Sequence, residues 1–194
     1  MKTELEKILV EKYPTLFKNY HGDPKVTCMC FGIETRDGWF NILDHLFGYL
    51  TNLMRNPLHI PYTEKYKEEH KQDKDYYTSH CFYKFDPPQI ILDQVKEKFG
   101  TLRVYYHTEL EKEIPEDIWV IVDQNEYYKK LDYYNEKIDS AIDYAEYQSS
   151  VTCEVTGKEG KLYAKGWHQT LCEEEAKKQN LNTDEATTLN KTAY

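Results

Sequence analysis

The sequence lacks any long hydrophobic run. Among its 194 residues, no apolar stretch approaches the roughly 18 to 20 residues that a membrane-spanning helix requires. The first residues become acidic and helix-forming at Glu4, and they lack the apolar segment of a signal peptide. We therefore expect a soluble cytoplasmic protein with no membrane partner.

Basic residues and cysteines are also scarce. The chain has 25 lysines and arginines against 34 aspartates and glutamates, and its formal net charge is −9. Broad nucleic-acid binding is disfavoured, because the counterion release that drives it needs a basic surface. An odd number of scattered cysteines does not indicate the disulfide framework of a secreted protein. The five are Cys28, Cys30, Cys81, Cys153 and Cys172.

The familiar catalytic motifs are missing as well. There is no Gly-x-Ser-x-Gly nucleophile turn, no glycine-rich phosphate loop and no dinucleotide-binding fingerprint. The seven histidines show no paired metal spacing. Asp44 and His45 are adjacent, but neighbours on a helix point about 100° apart, so they do not form a catalytic dyad. These absences disfavour an enzyme, and a nucleotide-processing enzyme stays open only as an alternative.

Apolar periodicity predicts three helices. The first begins at a Thr3-x-x-Glu6 capping box and ends near Lys12, just before a proline. The second spans residues 39–54 and has the clearest amphipathic pattern in the chain. The third is long and polar, with apolar residues at helical spacing through residues 127–150. These helices supply apolar faces around which a core can form.

Other segments have the patterns of strands, or of either element. Alternating apolar residues predict strands over 26–34 and 101–107, and a short apolar run predicts another over 118–122. Residues 89–100 favour a helix, because a proline precedes them and a glycine ends them, with a strand of a hairpin as the alternative. Residues 62–79 are charged and rich in tyrosine, which predicts a solvated loop or an exposed helix.

Together these patterns predict an α+β fold, with a small mixed sheet and amphipathic helices. We assign residues 1–148 to this core domain, 149–180 to a C-terminal module and 181–194 to a disordered tail. The tail is assigned from its polar composition and its place at the end of the sequence.

The C-terminal module has the order of a treble-clef zinc finger, which is a turn, a hairpin and then a helix. Such a finger takes two zinc ligands from the turn and two from the first turn of the helix. Here the turn has Cys153-x-x-Thr156 and the helix has Cys172-x-x-Glu175. Only two thiols remain in the predicted ligand positions, with Glu175 or His168 as a further ligand if zinc is bound. We expect a degenerate finger in which structural zinc is possible but not the favoured state.

In the favoured metal-free state, apolar packing holds this module together. We expect the packing to come from Leu162, Trp167 and Leu171, with the two cysteines as small buried apolar residues. Any bound metal would be structural, since nothing near it in the sequence supplies a general base.

A cluster of cations and aromatic residues is the candidate ligand site. Lys96, Lys98 and Arg103 flank a glycine turn and precede Tyr105, and the candidate set also includes Trp39. Cations beside aromatic faces suit a phosphate-bearing ligand whose base can stack, such as a nucleotide. The alternative is that the two lysines are solvated and that Arg103 pairs with one of the many carboxylates.

Several motifs resemble those of a family of uncharacterised bacteriophage and prophage proteins. They are Asp37-Gly38-Trp39-Phe40, the string from Gln94 to Tyr105 that contains Lys-Glu-Lys-Phe-Gly-Thr-Leu-Arg, Ala145-Glu146 before Ser149-Ser150, Cys153-Glu154, and Gly166-Trp167 leading to Leu171-Cys172. Members of that family carry cysteine where Thr156 stands, and cysteine or histidine near Glu175. The resemblance implies an accessory phage gene product and implies no reaction.

The resemblance and the cation cluster lead to one functional hypothesis. A phage accessory protein would act by binding in the host cytoplasm, for example as an anti-defence protein. It would sequester a nucleotide signal, or block a host defence protein through a surface rich in its 18 tyrosines. The alternative is a structural or protein-interaction role without a small ligand, and self-association into an oligomer is open in either case.

Overall fold

The structure is a computed structural model that describes residues 1–72, 82–164 and 166–181, together with the backbone of Ala186–Thr187. Helices and small sheets are mixed along the chain, so the predicted α+β class is confirmed. The assigned limits of core domain, module and tail stay predictions. Most of the predicted tail lies outside the described residues, as do residues 73–79 of the predicted loop.

Six α-helices and two short 3-10 helices lie in the described parts of the chain. The α-helices are α1 (Thr3–Lys12), α2 (Phe40–Met54), α3 (Glu64–His70), α4 (Glu116–Trp119), α5 (Gln124–Ser150) and α6 (Glu173–Lys178). The 3-10 helices are Met29–Phe31 and Asp37–Trp39. None of the helices described is long and apolar enough to cross a membrane.

The described strands form three small sheets. The strands are β1 (Ile33–Glu34), β2 (Leu58–Pro61), β3 (Phe82–Phe85), β4 (Gln89–Lys98), β5 (Thr101–Glu109), β6 (Lys161–Tyr163), β7 (Gln169–Leu171) and β8 (Ala186–Thr187). The central sheet has the order β1-β4-β5, in which β1 is parallel to β4 and β5 is antiparallel to it. A β2–β3 hairpin and the antiparallel β7-β6-β8 sheet complete the set.

The three predicted helices are confirmed as α1, α2 and α5, but the predicted capping box is wrong. The residue that precedes α1 is Lys2, and no side chain caps the helix. Glu6 is used elsewhere, because its carboxylate accepts hydrogen bonds from the backbone N–H of Ile33 at 3.1 Å and from the Tyr20 hydroxyl at 2.9 Å. Tertiary contacts have therefore taken the carboxylate that a capping box would use.

The strand predicted over residues 26–34 is mostly absent. Only Ile33–Glu34 is extended, and a 3-10 helix precedes it. The hydroxyl of Thr27 accepts the backbone N–H of Met29 at 3.1 Å, which favours a turn over an extended chain. Phe31 is 64% exposed although its place in the alternation predicts burial.

The helix predicted over residues 89–100 is also wrong, and the alternative of a hairpin strand is correct. Phe99 and Gly100 have φ angles of 56° and 79°, and they join β4 to β5 as a two-residue hairpin turn. A pair of positive φ angles matches the twist of antiparallel strands. The strand predicted over 118–122 is likewise wrong, because α4 occupies its start and only Val122 forms a bridge, to Tyr62.

The main hydrophobic core lies between one face of the central sheet and helices α1, α2 and α5. Helix α5 also covers the outer edge of β5. Ser149 Oγ accepts the backbone N–H of Leu102 at 2.8 Å, and the Tyr106 hydroxyl donates to Asp139 at 2.7 Å. Backbone groups at a sheet edge need such partners to stay satisfied and to avoid pairing with other chains.

Two smaller clusters lie outside this core. One joins the β2–β3 hairpin to the start of α5 through Ile60, Phe85, Val122 and Tyr127. The other is the centre of the C-terminal module and consists of Cys153, Tyr163, Leu171, Cys172 and Ala176. The module therefore has an apolar centre of its own.

Candidate functional site

The side of the central sheet that faces away from the core carries most of the predicted ligand residues. We call it the open sheet face and define it by Gln94, Lys96 and Lys98 on β4 and by Arg103 and Tyr105 on β5. The register places Lys96 opposite Arg103 and Gln94 opposite Tyr105. Alternation along a strand explains the arrangement, because the intervening pair of valines at 95 and 104 points into the core.

Two lysines on the open sheet face have no carboxylate within ion-pair distance among the described residues. The Lys96 ammonium lies 5.4 Å from the centre of the Tyr105 ring, and Lys98 lies 5.3 Å from that of Phe99. Both rings are exposed. The face therefore combines positive charge with aromatic surface that solvent can reach.

Arg103 is held by a carboxylate, as the alternative interpretation of the cluster predicted. Its Nη1 donates to Glu146 Oε2 on α5 at 3.0 Å and to the carbonyl of Leu102 at 2.6 Å. Burial raises the pKa of Glu146, while the nearby guanidinium favours its ionised form. Arg103 therefore fastens β5 to α5, and a ligand would have to compete with Glu146 for it.

Trp39 does not lie on the open sheet face. Its side chain is fully buried in the main core, and its Nε1 donates to the carbonyl of Thr152 at 2.8 Å. No surface of the ring is available to a ligand in this conformation. Its inclusion in the ligand set is therefore corrected, because the indole serves as a buried anchor for the chain that leads into the C-terminal module.

A charged network that the sequence analysis missed lies further along the same face. His107 Nδ1 contacts Asp93 Oδ1 at 2.9 Å, and its Nε2 lies 3.4 Å from Glu109, which also pairs with Lys18. The hydrogen bond to Asp93 is the main reason why the pKa of His107 is raised. A bulge after Leu92 turns Asp93 toward the histidine, and the alternating pattern gave no signal of it.

The predicted zinc ligands only partly converge. Cys153 and Cys172 are both buried, and Thr156 Oγ1 lies 3.6 Å from Cys172 Sγ. Glu175 accepts a hydrogen bond from Lys178 at 2.5 Å, and the His168 ring packs against Phe99 instead. No group of three or more metal-binding side chains lies together in the described chain. These residues therefore do not fit a four-ligand zinc centre.

The Cys172 sulfur nevertheless accepts several hydrogen bonds. Burial opposes its ionisation, but hydrogen bonds from the backbone N–H groups of Glu175 and Glu174, the Thr156 hydroxyl and the Cys153 thiol together outweigh burial and lower its pKa. The expected packing is corrected at one position, since Trp167 is 72% exposed and does not hold the module together.

Three of the motif residues, Gly38, Gly100 and Glu154, meet at one contact, which we call the module junction. The backbone N–H of Gly38 donates to the carbonyl of Glu154 at 2.9 Å, and the side-chain hydroxyl of Thr170 donates to the carbonyl of Gly100 at 2.6 Å, beside the Trp39 anchor described above. A Cβ atom on Gly38 would lie 2.2 Å from the carbonyl oxygen of Cys153. The motif residues at this contact are therefore required for packing, whatever the protein binds.

A buried carboxylate lies within the module junction. Glu154 is 2% exposed, accepts from Gln169 Nε2 at 3.2 Å, and lies 3.4 Å from Arg36 Nε. Burial raises the pKa of Glu154 to about 6; Arg36 opposes the shift and Glu97 adds to it. The sequence motif Cys153-Glu154 gave no indication that the glutamate would be buried.

A groove lies between α2 and α5, and the sequence analysis did not identify it. Its volume is about 610 Å³, and Ile42, Leu46 and Ala141 are among the residues that form its lining. Tyr49 and Tyr144 also line it and are 45% and 65% exposed. Its size is typical of a site that binds a ligand or a partner's side chains.

Comparison with known proteins found no relative. No family model matches the sequence, and neither a curated protein nor a solved structure is significantly similar to this chain. The functional argument therefore depends on the geometry of the open sheet face, the module junction and the groove.

Proposed function

We propose that this protein acts by binding, as a bacteriophage accessory protein, and that the open sheet face takes an anionic ligand with a stacking ring, such as a nucleotide. The phage assignment depends on the motif resemblance alone. An anti-defence role, in which the protein sequesters a nucleotide signal in the host cytoplasm, is the specific form of this proposal.

The observation that carries the proposal is a pair of lysines that form no ion pair within the described chain and lie beside an exposed ring. Lys96 and Lys98 have no carboxylate partner in the described chain, so their charge is available to a phosphate. Tyr105 lies next to Lys96 and offers a flat face on which a base can stack. A chain with net charge −9 gains from such a local positive site when its ligand is an anion.

The same face favours binding over catalysis. His107 has both ring nitrogens near carboxylates, Asp93 and Glu109, so it is held as part of an ion network rather than beside a nucleophile. A nucleotide-processing enzyme would need a base that is free to take a proton.

In this proposal the C-terminal module is a degenerate, metal-free treble clef that supports the hairpin between β4 and β5. The support is direct, because Thr170 hydrogen-bonds Gly100 in the hairpin turn and Leu162 lies against the same glycine. Retention of the fold after treatment with a strong chelator is the expected result, and unfolding by the chelator would contradict a metal-free module.

The test is native mass spectrometry of the purified protein with a panel of nucleotides, followed by calorimetric titration of any nucleotide that binds. We expect Lys96→Ala/Lys98→Ala to weaken binding at least tenfold, because a hydrogen bond to a charged group contributes about 1.5–3 kcal/mol. Lys25→Ala/Lys112→Ala is the matched control, since it removes the same charge from exposed positions elsewhere.

Two results would contradict the proposal. A protein that binds no member of the panel would remove the nucleotide ligand. A nucleotide whose affinity falls equally in both double variants would show attraction by net charge rather than a site at the open sheet face.

A protein-interaction role without a small ligand is the second candidate. The observation in its favour is the groove between α2 and α5, which lies on different elements from the open sheet face.

A further inference from the structure

We propose that the groove between α2 and α5 is a docking site for a basic amphipathic helix of a partner protein. This inference goes beyond the nucleotide site and does not depend on it. It rests on three features of the groove: an apolar floor, tyrosines at its rim, and a line of carboxylates along one side of α5.

The floor and the rim of the groove differ in chemistry. Ile42 and Leu46 on α2 face Ala141 and Ala145 on α5 across an apolar floor. Small residues at the α5 positions leave room for side chains that enter from outside. Tyrosines at the rim combine a large apolar ring with a polar tip, which is the composition of residues that dominate binding energies at protein interfaces.

The part of α5 that lines the groove follows the spacing of one helix face. Tyr133, Lys137, Ser140, Tyr144 and Gln148 recur at steps of three and four residues. At about 1.5 Å per residue they extend over about 22 Å, which is the length of four helical turns. A groove of that length and spacing accepts the apolar stripe of an amphipathic helix.

The charges beside the groove indicate the chemistry of the partner that would occupy it. Asp132, Glu136 and Asp143 are exposed and have no ion-pair partner among the described residues. The 100° advance per residue places them within about 60–100° of Tyr133 on the same side of α5, so they form a line beside the α5 residues that line the groove. Lys137 is the one lysine among those residues, with its ammonium 4.6 Å from the centre of the Tyr133 ring, and the three carboxylates outnumber it. A helix with an apolar stripe and flanking lysines would meet both features.

A second copy of this chain is the less suitable occupant. Each copy carries a net charge of −9, and a symmetric pairing through this groove would place the carboxylate line of one copy near that of the other. Repulsion between like charges opposes that arrangement, whereas it favours a basic partner.

The test uses three synthetic 18-residue peptides with the purified full-length protein. The first has leucines at steps of three and four residues with lysines on the remaining face, the second is a scrambled version of it, and the third replaces lysine by glutamate. Fluorescence anisotropy measures binding at two salt concentrations. We expect only the first peptide to bind specifically, in the micromolar range.

Variants then locate the site. Tyr49→Ala/Tyr144→Ala should weaken binding at least tenfold, because it removes both rings from the rim. Trp167→Ala is the matched control, since it removes an exposed aromatic side chain elsewhere and should leave binding unchanged. These side chains are exposed, so equal melting temperatures are expected and will show that every variant is folded.

A second pair of variants tests the carboxylate line. Neutralising Asp132, Glu136 and Asp143 as Asn, Gln and Asn should weaken binding severalfold and flatten its salt dependence. Neutralising three exposed carboxylates elsewhere, at positions 111, 113 and 117, is the control.

Three outcomes would overturn the proposal. They are failure of all three peptides to bind, equal binding of the scrambled peptide, and a dimer in native mass spectrometry that Tyr49→Ala/Tyr144→Ala dissociates. The last result would assign the groove to a second copy. None of these outcomes depends on nucleotide binding, so the two proposals fail separately.

Discussion

The module junction is tightly packed and buried, whereas the open sheet face is reached by solvent. At the junction, the backbone of Gly38 approaches that of Cys153 and Gly157 so closely that no side chain fits between them. On the open sheet face, Lys96 and Lys98 have no ion-pair partner within the described chain. The first region can change little without loss of stability, whereas the two lysines of the second region have no ion pair within the described chain to lose.

This difference changes how the resemblance is interpreted. Gly38, Gly100 and Cys153 are motif residues, and each lies at the junction. Only the strand segment around Lys96 extends from the motifs onto the open face. Similarity in residues that the junction needs for packing therefore gives no information about a ligand.

The largest effect is expected for Gly38→Ala. A methyl group there would lie 2.2 Å from the carbonyl oxygen of Cys153 and 2.6 Å from the backbone nitrogen of Gly157, and backbone atoms cannot move aside cheaply. We expect a loss of about 3 kcal/mol in the free energy of unfolding, measured by urea denaturation. Gly48→Ala in α2 is the control, with a change below about 1 kcal/mol, because its nearest neighbour is a side-chain hydroxyl. Similar losses in both variants would contradict a tight junction.

The second effect is a pH dependence that Glu154 produces. Its folded-state pKa of about 6 lies above the usual 4.5, so the folded protein binds this proton more tightly than the unfolded chain. The resulting stability is fully present below about pH 4.5 and is lost as the pH rises through about 6, with a total of about 2 kcal/mol.

Glu154→Gln tests this effect, because glutamine does not titrate. We expect the difference in unfolding free energy between wild type and variant to change by about 2 kcal/mol between pH 4.5 and pH 7.5. Glu113→Gln, at an exposed position, should show no such change. A pH-independent difference for Glu154→Gln would show that the carboxylate is not buried in solution.

Sequence patterns predicted the local elements better than the long-range ones. Helix α2 has an apolar stripe that depends only on its own residues, and α1 ends at a proline as expected. Hydrophobic spacing favours a helix over residues 89–100, where the structure has strand β4. The pairing of β4 with β5 depends on the Phe99-Gly100 turn, and its positive φ angles are not apparent from hydrophobic spacing.

The candidate site shows the same division. Strand alternation is a local property, so it placed Arg103 and Tyr105 on one face of β5. Lys96 joins them only through the pairing of β4 with β5, which a helix over residues 89–100 does not predict. The partner of Arg103 was not predictable, because Glu146 lies 43 residues away on α5. The burial of Trp39 was equally hidden, since the carbonyl it bonds belongs to a residue 113 positions later in the chain.

An intermediate effect is expected for the contact between Arg103 and Glu146. Both side chains are partly buried, with 33% and 22% exposure, and the guanidinium also bonds a backbone carbonyl. A double-mutant cycle with Arg103→Gln and Glu146→Gln should give a coupling free energy of about 1 kcal/mol in urea denaturation. The exposed pair Lys158 and Glu174 is the control, with coupling below about 0.5 kcal/mol. Equal coupling in the two pairs would mean that Glu146 holds Arg103 no more strongly than an exposed ion pair does. Arg103 would then be available to a ligand, as Lys96 and Lys98 are.

The smallest effect on stability is expected at the lysines of the open sheet face. Lys96→Ala/Lys98→Ala removes no ion pair found in the described chain, so the free energy of unfolding should change by less than about 0.5 kcal/mol. The cation–π contact between Lys96 and Tyr105 is exposed and is included in that limit. A loss above about 1.5 kcal/mol would mean that the lysines stabilise the fold as the junction does, and the contrast between the two regions would fail. A small loss combined with impaired nucleotide binding would show that the two lysines contribute to ligand binding rather than to stability.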